Sequence, residues 1–109
     1  ATVRRLSQEW NVVLLLKGAL TVIGSPDASI FINPTGNSAL STAGSGDVLS
    51  GFIGAFMAQG LSPLHATLTG AFLHGLAADC FVEQNNSNYM VASDLFEGLR
   101  LARNSIKIH

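Results

Sequence analysis

Charged residues are scarce in this sequence. Asp, Glu, Lys and Arg make up 12% of its 109 residues, against about a quarter in an average soluble chain, and the formal net charge is −1. Six Lys plus Arg are too few to neutralise a row of phosphates, which excludes a nucleic-acid partner. Disorder is excluded as well, because disordered segments are poor in apolar residues, whereas 48% of this chain is apolar.

Cysteine and long hydrophobic runs are also missing. The single Cys80 excludes an internal disulfide framework and a cysteine-based zinc site, and we expect it to be a buried, inert thiol. No charge lies between Asp47 and Asp79, but residues 59–63 (QGLSP) break this stretch into pieces shorter than the ~20 residues of a membrane helix. We therefore expect no membrane partner and, without a signal-peptide pattern, a cytoplasmic location, with a mitochondrial one possible for a eukaryotic source.

So little charge predicts that part of the surface is covered. A free-standing domain of this size has a high ratio of surface to volume and needs a polar exterior. The chain also begins Ala1-Thr2-Val3, without an initiator Met. We expect it to be an excised part of a larger domain, with the rest of that domain, a second copy of the chain in a homo-oligomer, or both, lying against its apolar faces.

The patterning predicts an α/β chain with too few strands to complete its own sheet. Ser62 and Ser93 are typical helix N-caps, and Gly60 is typical of a residue just after a helix. The predicted elements are a surface helix ending within residues 1–9, a strand at 12–16 buried on both faces as in a parallel sheet, a hairpin at 21–33, a loop at 34–46, and helices at 47–59, 63–84 and 94–108.

The glycine-rich stretch before Asp47 has the composition of an anion site. Gly44 and Gly46 let the backbone turn sharply, and the helix that follows offers unpaired N–H groups and a partial positive charge to a phosphate. Asp47 is the sole charged residue between Ala28 and Ala78, and at the rim of a phosphate site it could accept a proton from an attacking hydroxyl. Spacing alone leaves an ordinary glycine-rich helix cap as an equal alternative.

Other residues have plainer interpretations. His74 stands among small residues, so we expect a core histidine with its hydrogen bonds satisfied, and its spacing from Asp79 does not make the two a pair. Trp10 is expected to pack in the interior. Lys17 follows a strand and, by position alone, is a side chain that reaches solvent. The small residues between Gly51 and Ala58 predict the close approach of another backbone or a ligand.

Six segments match the motifs of one known family in chain order: KGALT at 17–21, NPTGN at 33–37, TAGSGDVLSG at 42–51, AQGLSP at 58–63, HGLA at 74–77 and ASDL at 92–95. They resemble the C-terminal half of the ADP/ATP-dependent NAD(P)H-hydrate dehydratases, repair enzymes of the ribokinase-like superfamily. The first two segments distinguish the chain from ordinary sugar kinases. The resemblance implies that residues 1–109 are the C-terminal part of a ribokinase-like three-layer α/β/α fold, with the N-terminal half absent.

The resemblance also implies a reaction. Such enzymes dehydrate hydrated NADH or NADPH, using ADP or ATP to turn the hydroxyl into a phosphate leaving group, and Mg²⁺ is expected from the superfamily although no paired carboxylates mark a metal site. Asp47 would contact the hydrated nicotinamide and act as the base. Carried over by motif, the nucleotide contacts fall on Lys17, Gly18, Ala19, Leu20, Thr21, Asn37, Ser38, Ala39, Leu40, Ser41, Thr42, Ala43, Gly44, Ser45 and Gly46.

Two alternatives stay open. A ribokinase-like kinase of a small molecule, such as a vitamin precursor, would use Asp47 in the same way but leave the phosphate on its product. A nucleotide-binding fragment without catalysis would show no turnover at all. Because the superfamily domain is much longer than this chain, we expect the isolated chain to bind nucleotide weakly and to have no dehydratase activity.

Overall fold

The computed structural model describes residues 2–17, 20–41, 44–87 and 89–105. Its elements are α1 (Thr2–Trp10), β1 (Leu14–Leu16), β2 (Thr21–Gly24), β3 (Ile30–Asn33), a short 3-10 helix (Ser38–Ser41), α2 (Ser45–Ala58), α3 (Pro63–Asn85) and α4 (Asp94–Ser105). Their order is the predicted one, and the predicted α/β class is confirmed. In the ranges described, no helix is both long and apolar enough to cross a membrane.

The three strands form an antiparallel meander in the order β1-β2-β3. Leu15 of β1 lies opposite Ile23 of β2, which in turn lies opposite Phe31 of β3. The turn between β2 and β3 is closed by a hydrogen bond of 2.9 Å from Ser25 N to Ser29 O. The predicted hairpin is therefore confirmed.

The prediction of a parallel strand buried on both faces is wrong for the part of the chain that is described. β1 pairs with β2 in antiparallel fashion, and Leu16 is 56% exposed. Trp10, expected in the interior, is 58% exposed. A run of apolar residues indicates that a strand is to be covered, but it carries no information about pairing direction or about which element supplies the cover.

Helices cover both faces of the sheet. Successive residues of a strand point to opposite faces, and Ile23 is buried in a core cluster with Leu49 of α2 and Ala71 of α3. On the other face, a Cβ added to Gly24 would lie 2.7 Å from Val3 Cγ1 of α1. The described elements thus form three layers, with α1 on one face of the sheet and α2 and α3 on the other.

The second core lies between α3 and α4. Ala77 and Ala78 of α3 are buried there with Leu95 of α4. A Cβ on Gly98 of α4 would overlap the carbonyl oxygen of Ala77, so the two helices approach at the distance that a glycine permits. Cys80, predicted to be buried, is a half-buried free thiol.

The helix ends follow the sequence signals closely. Ser62 Oγ accepts a hydrogen bond from His65 N at 3.2 Å, with Pro63 in the first turn of α3. Gly60 has a φ of +100° just after α2, as expected of a residue that ends a helix. α4 begins at the predicted Asp94. Its predicted last residues, 106–108, lie outside the described ranges.

Candidate functional site

An open cavity of about 670 Å³ lies at one end of the sheet. In an antiparallel meander the end of β1, the start of β2 and the end of β3 meet at the same edge, and the cavity is walled by the residues at these three points and by the 3-10 helix. The lining residues are Lys17, Leu20, Thr21, Pro34, Thr35, Gly36, Asn37, Ser38, Leu40 and Ser41.

The cavity brings together two predicted nucleotide segments that are far apart in sequence. From the first segment, Lys17, Leu20 and Thr21 line it. From the second segment, the lining residues are Asn37, Ser38, Leu40 and Ser41. The predicted contacts Gly18, Ala19, Thr42 and Ala43 lie outside the described residues.

The remaining predicted contacts do not line the cavity. Ala39 is buried in the core beside Ala77, because one side of the 3-10 helix faces the protein interior. Gly44, Ser45 and Gly46 instead form the start of α2.

The lining combines apolar and polar residues and, in the part of the chain that is described, carries one charged side chain. Lys17 is exposed, and the hydroxyl-bearing residues Thr21, Ser38 and Ser41 line the same space. An ammonium group and several hydroxyls suit a ligand that bears negative charge and many oxygen acceptors. The chemistry of the lining therefore fits a phosphorylated ligand.

α2 begins two residues earlier than predicted. Gly44 is its N-cap, with a left-handed backbone (φ +87°) that glycine adopts without strain, and Gly44 O accepts from Val48 N at 3.2 Å. Ser45 is buried, and its Oγ donates to Leu40 O at 2.6 Å. Since Leu40 lines the cavity, this bond joins the start of α2 to the cavity wall.

His74 forms a hydrogen bond with the same helix start. Its side chain is 2% exposed, and Nε2 lies 2.9 Å from Ser45 O, while the Phe52 ring contacts the imidazole edge-on. Burial lowers the pKa of His74, with a smaller contribution from the charge of Lys17, against the opposing effect of the Ser45 hydrogen bond. The neutral imidazole therefore donates from Nε2, and the prediction of a satisfied core histidine is confirmed.

This histidine predicts a pH dependence of stability. The pKa of His74 is lower in the folded than in the unfolded protein, so the unfolded state binds the extra proton first as pH falls. The contribution of His74 to the free energy of unfolding is fully present above the unfolded pKa of about 6.5. Below that pH the free energy of unfolding should fall by up to about 1.4 kcal/mol per pH unit. Urea unfolding at about pH 7.5 and about pH 5.5 measures the loss. His74→Gln should reduce the difference; an equal difference in both proteins would contradict the argument.

Asp47 lies in the first turn of α2 and is exposed among the described residues. It is not part of the lining of the 670 Å³ cavity. An acidic side chain in a first turn also favours the helix dipole, the plainer role noted from the sequence. Its role as a base therefore stays a prediction.

The segment after β3 runs along α3. Asn33 Nδ2 donates to Ala71 O at 3.0 Å, and Thr35 Oγ1 lies 3.0 Å from Phe72 O. A Cβ on Gly75 would overlap Thr35 Oγ1. The segment that forms this wall of the cavity thus contacts α3 directly.

The next two residues of the segment are held by a carboxylate that the sequence analysis assigned no role. Asp79 Oδ2 accepts from Gly36 N at 3.0 Å, and Oδ1 accepts from Asn37 Nδ2 at 2.8 Å. The one signal in the sequence was that Asp79 ends the charge-free stretch after Asp47.

Two glycines of α2 have open space beside them among the described residues. A Cβ on Gly51 or Gly54 would have nothing within 4 Å. The predicted close approach of another backbone or a ligand is therefore not made by the part of the chain that is described.

Comparisons with known proteins show which family the chain resembles. The family model described as NAD(P)H-hydrate dehydratase matches residues 1–100. The chain is 50% identical over 95 residues to the bifunctional NAD(P)H-hydrate repair enzyme Nnr of Moorella thermoacetica, covering 87% of this chain. It is 41% identical over 107 residues to the ADP-dependent (S)-NAD(P)H-hydrate dehydratase of Neisseria meningitidis, covering 97% of this chain.

A solved structure shows the same fold. The crystal structure of the ADP/ATP-dependent NAD(P)H-hydrate dehydratase from Bacillus subtilis, co-crystallised with ATP and Mg²⁺, is 32% identical to the chain and superimposes with a TM-score of 0.86 over 95% of it. The chain spans 38% of that protein, 36% of the Neisseria relative and 18% of the Moorella relative. It matches a minor part of each relative's length.

Proposed function

The chain belongs to the NAD(P)H-hydrate dehydratase family, and on this premise we propose that it forms the nucleotide-binding part of an enzyme that dehydrates hydrated NADH or NADPH with ADP or ATP. The observation that carries the proposal is the cavity at the sheet edge. It joins Lys17 and Thr21 to Asn37, Ser38 and Ser41, and one lysine with several hydroxyl-bearing residues suits a polyphosphate.

Lys17 is proposed to contact the nucleotide phosphates, because it is the charged side chain of the lining and a flexible ammonium suits a phosphate as a point charge. The hydroxyls of Thr21, Ser38 and Ser41 offer hydrogen bonds to the same ligand. The exposed start of α2 supplies unpaired backbone N–H groups, as at other anion-binding helix ends. Gly18, Ala19, Thr42 and Ala43, which lie outside the described residues, remain part of this proposed contact set.

Asp47 is proposed as the base. The hydroxyl oxygen of the hydrated nicotinamide attacks the terminal phosphorus, the proton of that hydroxyl passes to the carboxylate, and the shortened nucleotide leaves. The new phosphate ester is then a good leaving group. It departs as inorganic phosphate with the electron pair of its C–O bond, and loss of a proton from the neighbouring carbon restores the double bond.

Mg²⁺ is proposed to arrive with the nucleotide. In the ranges that the structure describes, no three His, Cys, Asp or Glu side chains come together, so these residues do not build a cation cage of their own. Mg²⁺ in such enzymes keeps several waters and is held by phosphate oxygens with one or two carboxylates. When bound, it would neutralise phosphate charge.

The chain is proposed to be the C-terminal part of a larger domain. Leu16, Val22 and Ile32 lie side by side across the three strands, and Leu16 and Ile32 are 56% and 59% exposed. The rest of the domain, a second copy of the chain, or both, would cover this row and the open glycines of α2. A cytoplasmic location is proposed from the free thiol of Cys80, which suits a reducing compartment.

The test is an assay of the full-length protein with hydrated NADH and either ADP or ATP. We expect recovery of NADH absorbance together with release of inorganic phosphate, and no such activity from the 109-residue chain alone. Phosphate retained on an organic product would identify a kinase instead. Nucleotide binding without any turnover would identify a non-catalytic binding protein, and full activity of the isolated chain would refute the partial-domain proposal.

A further inference from the structure

Asp79 directs both of its carboxylate oxygens at the cavity wall. One oxygen accepts from Gly36 N at 3.0 Å and the other from Asn37 Nδ2 at 2.8 Å. Asn37 in turn contacts the 3-10 helix, because its Oδ1 accepts a hydrogen bond from Ala39 N at 2.8 Å. One side chain of α3 thus fixes the turn that leads into residues 37–41, which belong to the predicted nucleotide contacts.

The spacing on α3 matches the spacing of the loop. Ala71, Gly75 and Asp79 are four residues apart, so they lie along one side of the helix, and the first and last are separated by about 12 Å of helix rise. The four steps from Asn33 to Asn37 span about 13 Å when extended. The contacts with Ala71, Gly75 and Asp79 are therefore made in register, and Asp79 holds the end nearest the 3-10 helix.

The carboxylate has no other ionic use in the described part of the chain. The salt bridges found there join residues within α1 and within α4, and neither involves Asp79. Gly36 also has a φ of +113°, a conformation that the backbone does not adopt by helix or strand preference. The conformation of the loop therefore combines a glycine that permits this φ with the two hydrogen bonds to Asp79.

We propose that Asp79 is a positioning residue for the nucleotide, which places the cavity wall from Thr35 to Ser41 without touching the reacting atoms. The inference rests on the proposed function, since it assigns the cavity to the nucleotide. A carboxylate is required because two donors converge on the side chain. An asparagine offers one acceptor, and its NH₂ group would face the second donor.

The experiment uses the full-length protein with three variants, Asp79→Asn, Asn37→Asp and the double exchange Asn37→Asp/Asp79→Asn. Each single variant removes or opposes the bond between the two side chains. We expect each to raise the KM for the nucleotide roughly ten- to a hundredfold, since a lost hydrogen bond to a charged group has this effect, with a smaller change in kcat. The double exchange restores a donor opposite a carboxylate and should recover most of the affinity.

Glu83→Gln is the matched control, because Glu83 lies one turn further along α3 and is exposed. It removes the same charge without touching the loop and should leave the KM for the nucleotide unchanged. If Asp79→Asn fails to fold, Asn37→Asp compared with the double exchange carries the test, since α3 then keeps its native carboxylate in the single variant.

The outcomes separate this role from the proposed function. An active wild-type protein whose Asp79→Asn variant has an unaltered KM for the nucleotide, or whose double exchange recovers nothing, overturns the positioning role alone. A wild-type protein that neither binds ADP or ATP nor shows turnover overturns the proposed function, and the positioning role with it.

Discussion

Asp47→Asn should reduce dehydration of hydrated NADH by about 10²–10⁴-fold in the full-length protein, the range expected when a general base is removed. Asparagine has nearly the size of aspartate but cannot take up the proton of the attacking hydroxyl. Because Asp47 is exposed and lies in the first turn of α2, the fold should survive the change. The nucleotide affinity should change little, because the proposed contacts of the nucleotide are backbone N–H groups and other side chains, which the exchange leaves in place.

The measurement is kcat for phosphate release, with ADP or ATP binding followed separately. Glu9→Gln is a suitable control, since Glu9 is an exposed acid on α1, far along the chain from the glycine-rich stretch before Asp47. A variant Asp47→Asn that keeps wild-type kcat would leave Asp47 with only the role of a helix-dipole partner.

The helix ends and the hairpin could be predicted because their signals are local. Asp27 Oδ1 accepts from Ser29 N at 2.9 Å in the hairpin turn, and Ser62 caps α3 with a residue three positions away. Interactions over two or three residues require particular residue types at fixed short spacings, so they can be recognised in the sequence. Gly60 likewise marks the end of α2 by its own backbone conformation.

The approach of the two cavity-lining segments could be predicted only through the family resemblance, and the contact between Gly36 and Asp79 could not be predicted at all. Gly36 and Asp79 are 43 residues apart, and no periodicity connects a loop glycine with a helix carboxylate. The charge-free stretch that drew attention to Asp47 is bounded by Asp79. Asp79, like Asp47, is a charge beside an apolar stretch, and such a charge is costly unless it is paired or used.

The errors at β1 and Trp10 have one physical cause. An apolar composition indicates that a surface is to be buried. The described residues bury this surface incompletely, because Leu16 and Trp10 are each more than half exposed. The chain matches 34–38% of the length of the relatives named as ADP- or ADP/ATP-dependent dehydratases. Predicted burial and observed burial therefore differ where the proposed remainder of the domain would lie.

Gly75→Ala should lower stability and nucleotide affinity together. A methyl group there would overlap Thr35 Oγ1 and lie 2.7 Å from the Thr35 carbonyl oxygen, so the loop must move away from α3. Forcing a group into packed space costs about 1–3 kcal/mol, and each kcal/mol lowers Tm by about 4–8 °C in a domain of this size. The displaced segment includes Gly36 and Asn37, whose bonds to Asp79 should lengthen or break.

Gly54→Ala separates this effect from helix propensity. Gly54 is also inside a helix, but a Cβ there has nothing within 4 Å, so in the 109-residue chain alanine should stabilise α2 by up to about 1 kcal/mol. Thermal unfolding of the two variants of that chain gives Tm shifts of opposite sign if the close approach at Gly75 is real. Equal shifts would mean that the loop does not lie on α3, and the contacts assigned to Asp79 would have to be abandoned.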